Sequence, residues 1–236
     1  MFDTNTDLLI VSSHYNENLE WLENSTWPVV ISTNHPTYKR TFSNSMVNID
    51  EELRSPSNHG REASAYLRFI VKYYDNLPKH IVFIHGHENA WHQHIPIFDA
   101  ISRAKRHEFP YISLNQQWHE GPRCSLWEVI KQLWNTHYKP YVGTPTPPSW
   151  MGIFDACAQF IVSREAIRQY PKVAWEEWLD VVQNPSTTKV PSHVFSRMPW
   201  FYEYTWHVIF KEPIDENWQP LTTKDHYYKS RFIVSK

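Results

Sequence analysis

Apolar and polar positions along this chain keep two different periods. Ala63, Tyr66, Leu67, Ile70, Tyr74 and Leu77 recur at helical spacing, which predicts an amphipathic helix. Pro78 ends it, because proline disfavours helix in the residue before it. The next apolar run, Ile81, Val82, Phe83 and Ile84, is short and mostly β-branched, as in a strand covered on both faces. Similar runs at 7–12 (DLLIVS), 29–32 (VVIS), 157–162 (CAQFIV) and 204–210 (YTWHVIF) predict four more strands. A polar loop is expected from the second of these to Asn58.

Between the strands the helical period returns. A short helix is predicted around 19–22, another around Ile97, Phe98 and Ile101, and a third after the capping box Ser125-x-x-Glu128, with Ile130, Leu133 and Trp134 on its face. Ser163 caps a short helix, and Pro171 opens one striped by Trp175, Trp178, Leu179 and Val182. The segment KPYVGTPTPPSW (139–150) carries four prolines and predicts neither helix nor central strand. It and 183–198 read as long loops, the former of a length suited to a functional flap. The alternation predicts an α/β protein with a mixed, mainly parallel sheet flanked by helices. One domain over 1–236 is expected: halves at 7–94 and 95–210, then a tail at 211–236.

Composition narrows the function classes. A net charge of −2 gives no electrostatic footprint for nucleic acid. No stretch approaches the roughly 20 apolar residues of a membrane helix. Cys124 and Cys157 stand far apart in no metal-type spacing, and the first residues have no basic n-region, so a cytoplasmic protein is expected. The excess is aromatic: 12 Trp and 13 Tyr, beside 14 His and only 5 Gly. Such rings stack on sugars or bases, but most are needed for the core.

The candidate chemistry gathers where the 81–84 strand stops, at His85, Gly86, His87 and Glu88. Ligands bind beyond the carboxyl ends of strands in open α/β sheets. A serine hydrolase is disfavoured, because no G-x-S-x-G elbow exists among so few glycines. The imidazoles His85, His87, His92 and His94 suit a metal-dependent hydrolase. Against it, the usual HxHxDH pattern fails at Asn89 and Ala90.

Taken together, strand, Asn-Glu-Asn turn, strand, Asn-x-Gly-Arg-Glu, helix, strand and His-Gly-His resemble the nucleotide-binding half of GT-A glycosyltransferases. CAQFIVSREAI (157–167) resembles their acceptor-side strand and helix, and YEYTWHVIF (202–210) their closing segment. The set GREAxxYLRFI, YDxLP, FIHGHxxxWHQ, CAQFIVSRE and EYTWHxIF is also similar to a family of unknown function, DUF3431, over about 7–210.

The transferase resemblance implies a nucleotide-sugar donor and a glycan or small acceptor. It places His14, Asn16, Glu17, Gly60, Arg61, His85, Gly86 and His87 at the donor. Glu203, or Asp155 after it, would be the general base of an inverting displacement. His-Gly-His stands where such enzymes carry Asp-x-Asp, so a divalent cation, Mn2+ or Mg2+, is implied only if His85, His87 and His207 hold it; otherwise these residues and Arg61 meet the phosphates directly. Arg123 and Arg164 are alternative phosphate partners, and Glu165 fits a helix first turn. A metal-dependent hydrolase, or a non-catalytic carbohydrate-binding protein using the aromatic surface, are the alternatives.

Overall fold

The structure, a computed structural model, describes residues 2–115, 124–144, 157–184, 198–210 and 224–233. Six strands form one mixed sheet: β1 (Leu8–His14), β2 (Val29–Thr33), β3 (Val47–Ile49), β4 (His80–Ile84), β5 (Tyr111–Ser113) and β6 (Phe160–Ser163). The order is β3-β2-β1-β4-β6-β5; β3, β2, β1 and β4 run parallel, and β6 is antiparallel to both β4 and β5. The described residues thus form a single mixed α/β domain.

Strand alternation makes two cores. Leu9, Val11, Ile81, Phe83, Phe160 and Val162 face one side, and Leu8, Ile10, Val82, Ile84 and Ile161 the other. The first face is covered by α1 (Arg61–Tyr73), α3 (Cys124–Leu133), α6 (Lys172–Gln183) and α7 (Met198–Ile209). The second is covered by α2 (Ile97–Arg103), by Trp21 and Leu22 of a 3-10 turn, and by Tyr227 of α8 (Lys224–Arg231). Two shorter helices, α4 (Lys139–Val142) and α5 (Arg164–Arg168), complete the described set. None of the described helices is long and apolar enough to cross a membrane.

Where the structure departs from the sequence pattern, packing is the cause. The run 204–210 is helical, not a strand. Its aromatic residues favour strands on a half-buried surface, but Phe201, Tyr202, Thr205, Trp206, His207, Val208 and Ile209 are buried on nearly every side, so no period stands out. The loop expected up to Asn58 contains β3, and β5 was not foreseen; three residues are too few to show alternation. The proline-rich 139–150 segment begins as α4, because Pro140 occupies a first-turn position where no amide hydrogen bond is needed. The helix with the capping box starts at Cys124, one residue ahead of Ser125. The strand expected at 157–162 begins only at Phe160. Ser163 does cap α5, its hydroxyl accepting from the Ala166 amide at 3.1 Å.

α1 starts from a tight corner. Gly60 (φ 74°) and Arg61 (φ 46°) both lie in the left-handed region. A Cβ on Gly60 would stand 1.9 Å from Val182 Cγ1, so glycine also lets α1 approach α6.

Candidate functional site

Sheet topology creates the crevice. The chain moves outward from β1 to β2 and β3, then returns to place β4 on the other side of β1. The carboxyl ends of β1 and β4 therefore flank the topological switch point, where side loops diverge and leave space. From β1 comes the polar turn after His14, and from β4 the His-Gly-His turn. Antiparallel β6 pairs Phe160 with Phe83, which brings the residues before it to the same edge.

Fixed contacts hold the His-Gly-His turn. The Trp21 indole donates to the Gly86 carbonyl at 2.9 Å, the Ser12 hydroxyl to the His85 carbonyl at 3.4 Å, and the His85 amide to Gln159 Oε1 at 3.4 Å. A Cβ at Gly86 would meet the Ser13 carbonyl at 2.8 Å and Glu17 Oε2 at 3.0 Å, so this glycine permits a close approach to β1. Glu17 in turn accepts the Tyr15 and Asn16 amides at 2.7 and 3.1 Å.

Two cavities open on this turn. The larger, about 700 Å3, is lined by Asn16, Glu17, Glu20, Trp21, His87 and Glu88, with Asn18, Asn24 and Asn89. The smaller, about 370 Å3, is lined by Glu62, His85, His87, Trp91, His92 and Glu203, with Asn89, Ala90 and Cys157. His87 and Asn89 belong to both, so the two are neighbouring chambers around one turn.

The smaller chamber holds coupled charges. His85 Nδ1 lies 3.4 Å from Glu62 Oε1, an ion-pair contact without the alignment of a full hydrogen bond. Burial opposes charge on both partners. Their attraction wins: it holds the Glu62 carboxyl at about 2 and raises His85 above its ordinary value, with Glu203 and Glu17 adding to the latter. Glu203, on α7, is pushed up to about 7, chiefly by burial and then by the negative charge of Glu62, with His85 and Arg61 opposing. Two carboxylates in one chamber are thus pushed in opposite directions, Glu62 down by its ion pair with His85 and Glu203 up by burial.

The walls around Glu203 come from distant segments. Its carbonyl accepts the Cys157 amide at 3.2 Å, and the Tyr66 hydroxyl donates to the Ala158 carbonyl at 2.8 Å. Cys157 has φ 90°, a costly conformation for a side-chain-bearing residue, and it is held there at the chamber wall.

Of the residues singled out from sequence, His85, His87 and Glu203 share the smaller chamber, while Asn16, Glu17 and His87 share the larger. Gly86 shapes the turn itself. Arg61 is exposed at the start of α1 and lines neither chamber, although its charge reaches Glu62 and Glu203. Gly60 sets the corner beside it. His14 is buried against Tyr38, with Nδ1 2.9 Å from Thr33 Oγ1, and burial lowers its pKa. It lines neither chamber. His207 sits one helical turn beyond Glu203, is buried and does not line the chamber; burial carries its pKa down to about 4, and it forms no close ligand group with His85 and His87 among the described residues. Asp155 and Arg123 lie outside the described residues. Arg164 bonds the Thr4 and Leu77 carbonyls at the opposite sheet end, and Glu165 is in the first turn of α5. Of the metal-hydrolase imidazoles, His92 joins His85 and His87 in the smaller chamber. Sequence reasoning missed Glu62 as a partner of His85, and it missed Trp91 and Cys157 in the chamber. Glu62 stands in the first turn of α1, where a carboxylate complements the helix dipole without any further partner, so its position alone gives no signal of the pairing.

The geometry defines a mixed α/β protein with a two-chambered polar crevice at the switch point of its sheet. The chain belongs to the family described as "Protein of unknown function (DUF3431)", whose model matches residues 9–224. Comparison with curated proteins and with solved structures gives no match.

Proposed function

We propose that the protein is a glycosyltransferase in which the larger chamber takes a nucleotide-sugar donor and Glu203 activates the acceptor hydroxyl in the smaller one. The observation that carries this reading is Glu203 itself: a carboxyl poised at about 7, in the same chamber as the His-Gly-His turn. A base of that pKa holds a useful unprotonated fraction at neutral pH and is strong enough to accept a proton as the hydroxyl oxygen attacks. The acceptor oxygen bonds to the anomeric carbon, its proton passes to Glu203, and the sugar–phosphate bond breaks with its electron pair leaving on the diphosphate. His87, which borders both chambers, faces the growing negative charge. Neighbouring chambers that share His87 give donor and acceptor adjacent seats, as displacement across one carbon requires.

A diphosphate in the larger chamber meets Glu17, Glu20 and Glu88. These oxygen donors suit a hard ion such as Mg2+ or Mn2+, which would screen the phosphates there. His85 stays paired with Glu62 in the neighbouring chamber.

Melting temperature in a panel of nucleoside diphosphates, with and without manganese, tests the reading, since a ligand of the native state stabilises it. A rise with one nucleotide, strengthened by manganese and lost in Glu17→Gln, supports it. No response to any nucleotide, with stabilisation by free glycans instead, would assign the crevice to a carbohydrate-binding protein. A second reading, a metal-dependent hydrolase, draws on His85, His87 and His92 in one chamber, with ring centroids 6.3 and 5.7 Å from His85. It requires zinc, not nucleotide, to stabilise the crevice, with loss of the effect in His87→Ala.

A further inference from the structure

At the opposite end of the sheet a second group of polar side chains converges from three separate stretches of chain. Asp7 stands just ahead of β1, His80 opens β4, and His107 lies in the turn between α2 and β5. The β1–β4 pairing sets the first two side by side: Leu8 is in register with His80, the His80 amide donates to the Asp7 carbonyl at 3.0 Å, and the Lys79 amide to Thr6 at 3.0 Å. The third is delivered by a pinned turn. There the Glu108 amide bonds the Lys105 carbonyl at 2.9 Å, the Lys105 amide bonds Arg231 of α8 at 2.8 Å, and the Arg231 guanidinium lies 3.7 Å over the Phe109 ring.

The side chains converge closely. Asp7 Oδ1 is 3.8 Å from His80 Nδ1, and Asp7 Oδ2 is 3.8 Å from His107 Nε2. The imidazole rings are 4.9 Å apart at 87°. One ligand atom from each residue lies within 4.8 Å of the other two. Tetrahedral zinc, with ligands at about 2.0–2.1 Å, needs its donors about 3.4 Å apart. Small rotations of the exposed Asp7 and His107 side chains supply that closure, because these are 43% and 62% exposed while His80 is largely fixed.

We propose that Asp7, His80 and His107 form a binding site for a borderline divalent cation of the zinc class, separate from the crevice. Two imidazoles and one carboxylate favour zinc over magnesium or calcium, which prefer all-oxygen shells, and three protein ligands leave a position for water. Two neighbouring contacts fit a metal site's surroundings. His80 Nδ1 is 3.2 Å from the Asp7 carbonyl, which holds the ring beside the Asp7 carboxylate in the metal-free chain. Arg106 bonds Asp7 at 2.9 and 3.3 Å through Oδ2 alone, which orients the carboxylate and leaves Oδ1 for the ion. Bound metal would tie the starts of β1 and β4 to the turn before β5, so its binding should raise stability.

Zinc titration by calorimetry tests this on the 236-residue chain, without a histidine tag and after chelator treatment. Expected are one equivalent of zinc and a higher melting temperature in its presence. Cobalt substitution should give visible bands of low-coordinate nitrogen and oxygen ligation. His107→Ala should weaken zinc binding at least tenfold while leaving the metal-free melting temperature unchanged, because His107 is exposed; Asp7→Asn should act in the same direction. His87→Ala, in the crevice, should bind zinc at this site as the unaltered chain does. Undiminished one-equivalent binding in His107→Ala, or no zinc binding by the unaltered chain, would overturn the proposal. Neither result bears on nucleotide binding in the crevice.

Discussion

Glu203 carries the sharpest consequences at the scale of single residues. Glu203→Gln keeps the shape of the chamber and removes basicity. Transfer should fall by roughly 10²–10⁴-fold with donor binding retained, and the limb of the rate profile that rises through pH about 7 should vanish. Full activity in that variant would move the role elsewhere. Stability gives an independent readout. The folded-state pKa of Glu203 is raised from 4.5 to about 7, so its contribution is fully present below pH 4.5 and is lost as pH rises to about 7. That loss is about 2–3 kcal/mol, reduced by partial exposure. His85 titrates in the same sense. Denaturant unfolding at pH 5 and pH 8 should therefore show a smaller drop in Glu203→Gln than in the unaltered chain. Glu62 runs the other way: lowered to about 2, it stabilises above pH 4.5 and loses its effect as pH falls towards 2. Glu62→Gln leaves His85 buried without its anion. Its imidazole NMR titration should move to lower pH, and the protein should lose about 1–3 kcal/mol of stability, the cost of leaving a buried polar group without its partner. An unmoved His85 titration would mean that Glu62 is not what holds its proton.

The corner at Gly60 and the turn at Gly86 are where single atoms control whole elements. Gly60→Ala adds a Cβ at 1.9 Å from Val182 Cγ1 and strains a φ of 74°, so α1 must move away from α6. The expected loss exceeds about 1 kcal/mol by chemical denaturation. Adding Val182→Ala should restore part of it by removing the clash while leaving the strain. Recovery to full stability would mean that backbone conformation contributes nothing. Several elements were legible because their signals are local. α1 shows its stripe from Ala63 to Ile70, β4 is an unbroken apolar run, and Ser163 stands where a cap belongs. α7 was misread because burial on nearly every side erases the period on which such a reading depends.

At the scale of the molecule, β1 and β4 form the sheet's centre and β3 and β5 its edges. Amide hydrogen exchange should be slowest at residues such as Val11 and Phe83, whose strands are paired on both sides, and faster at Asn48 and Ile112. Equal protection across the sheet would contradict this order of stability. The order also explains what could be read from the chain alone. The sequence by itself determined that strands alternate with helices and that polar chemistry begins where β4 ends, because hydrophobic periods and strand termini are properties of neighbouring residues. It also carried the motifs of the family over most of the chain. Only the tertiary structure decided which distant side chains meet. Antiparallel β6 brings Cys157 to the crevice, and α7 brings Glu203 to its wall while His207, one turn further on, is buried beyond the lining. Glu62 becomes the partner of His85, and Asp7 meets His80 and His107 at the far end. The physical reason is that strand pairing and helix packing act between residues tens of positions apart, and a charge acquires its pKa from the neighbours those contacts supply.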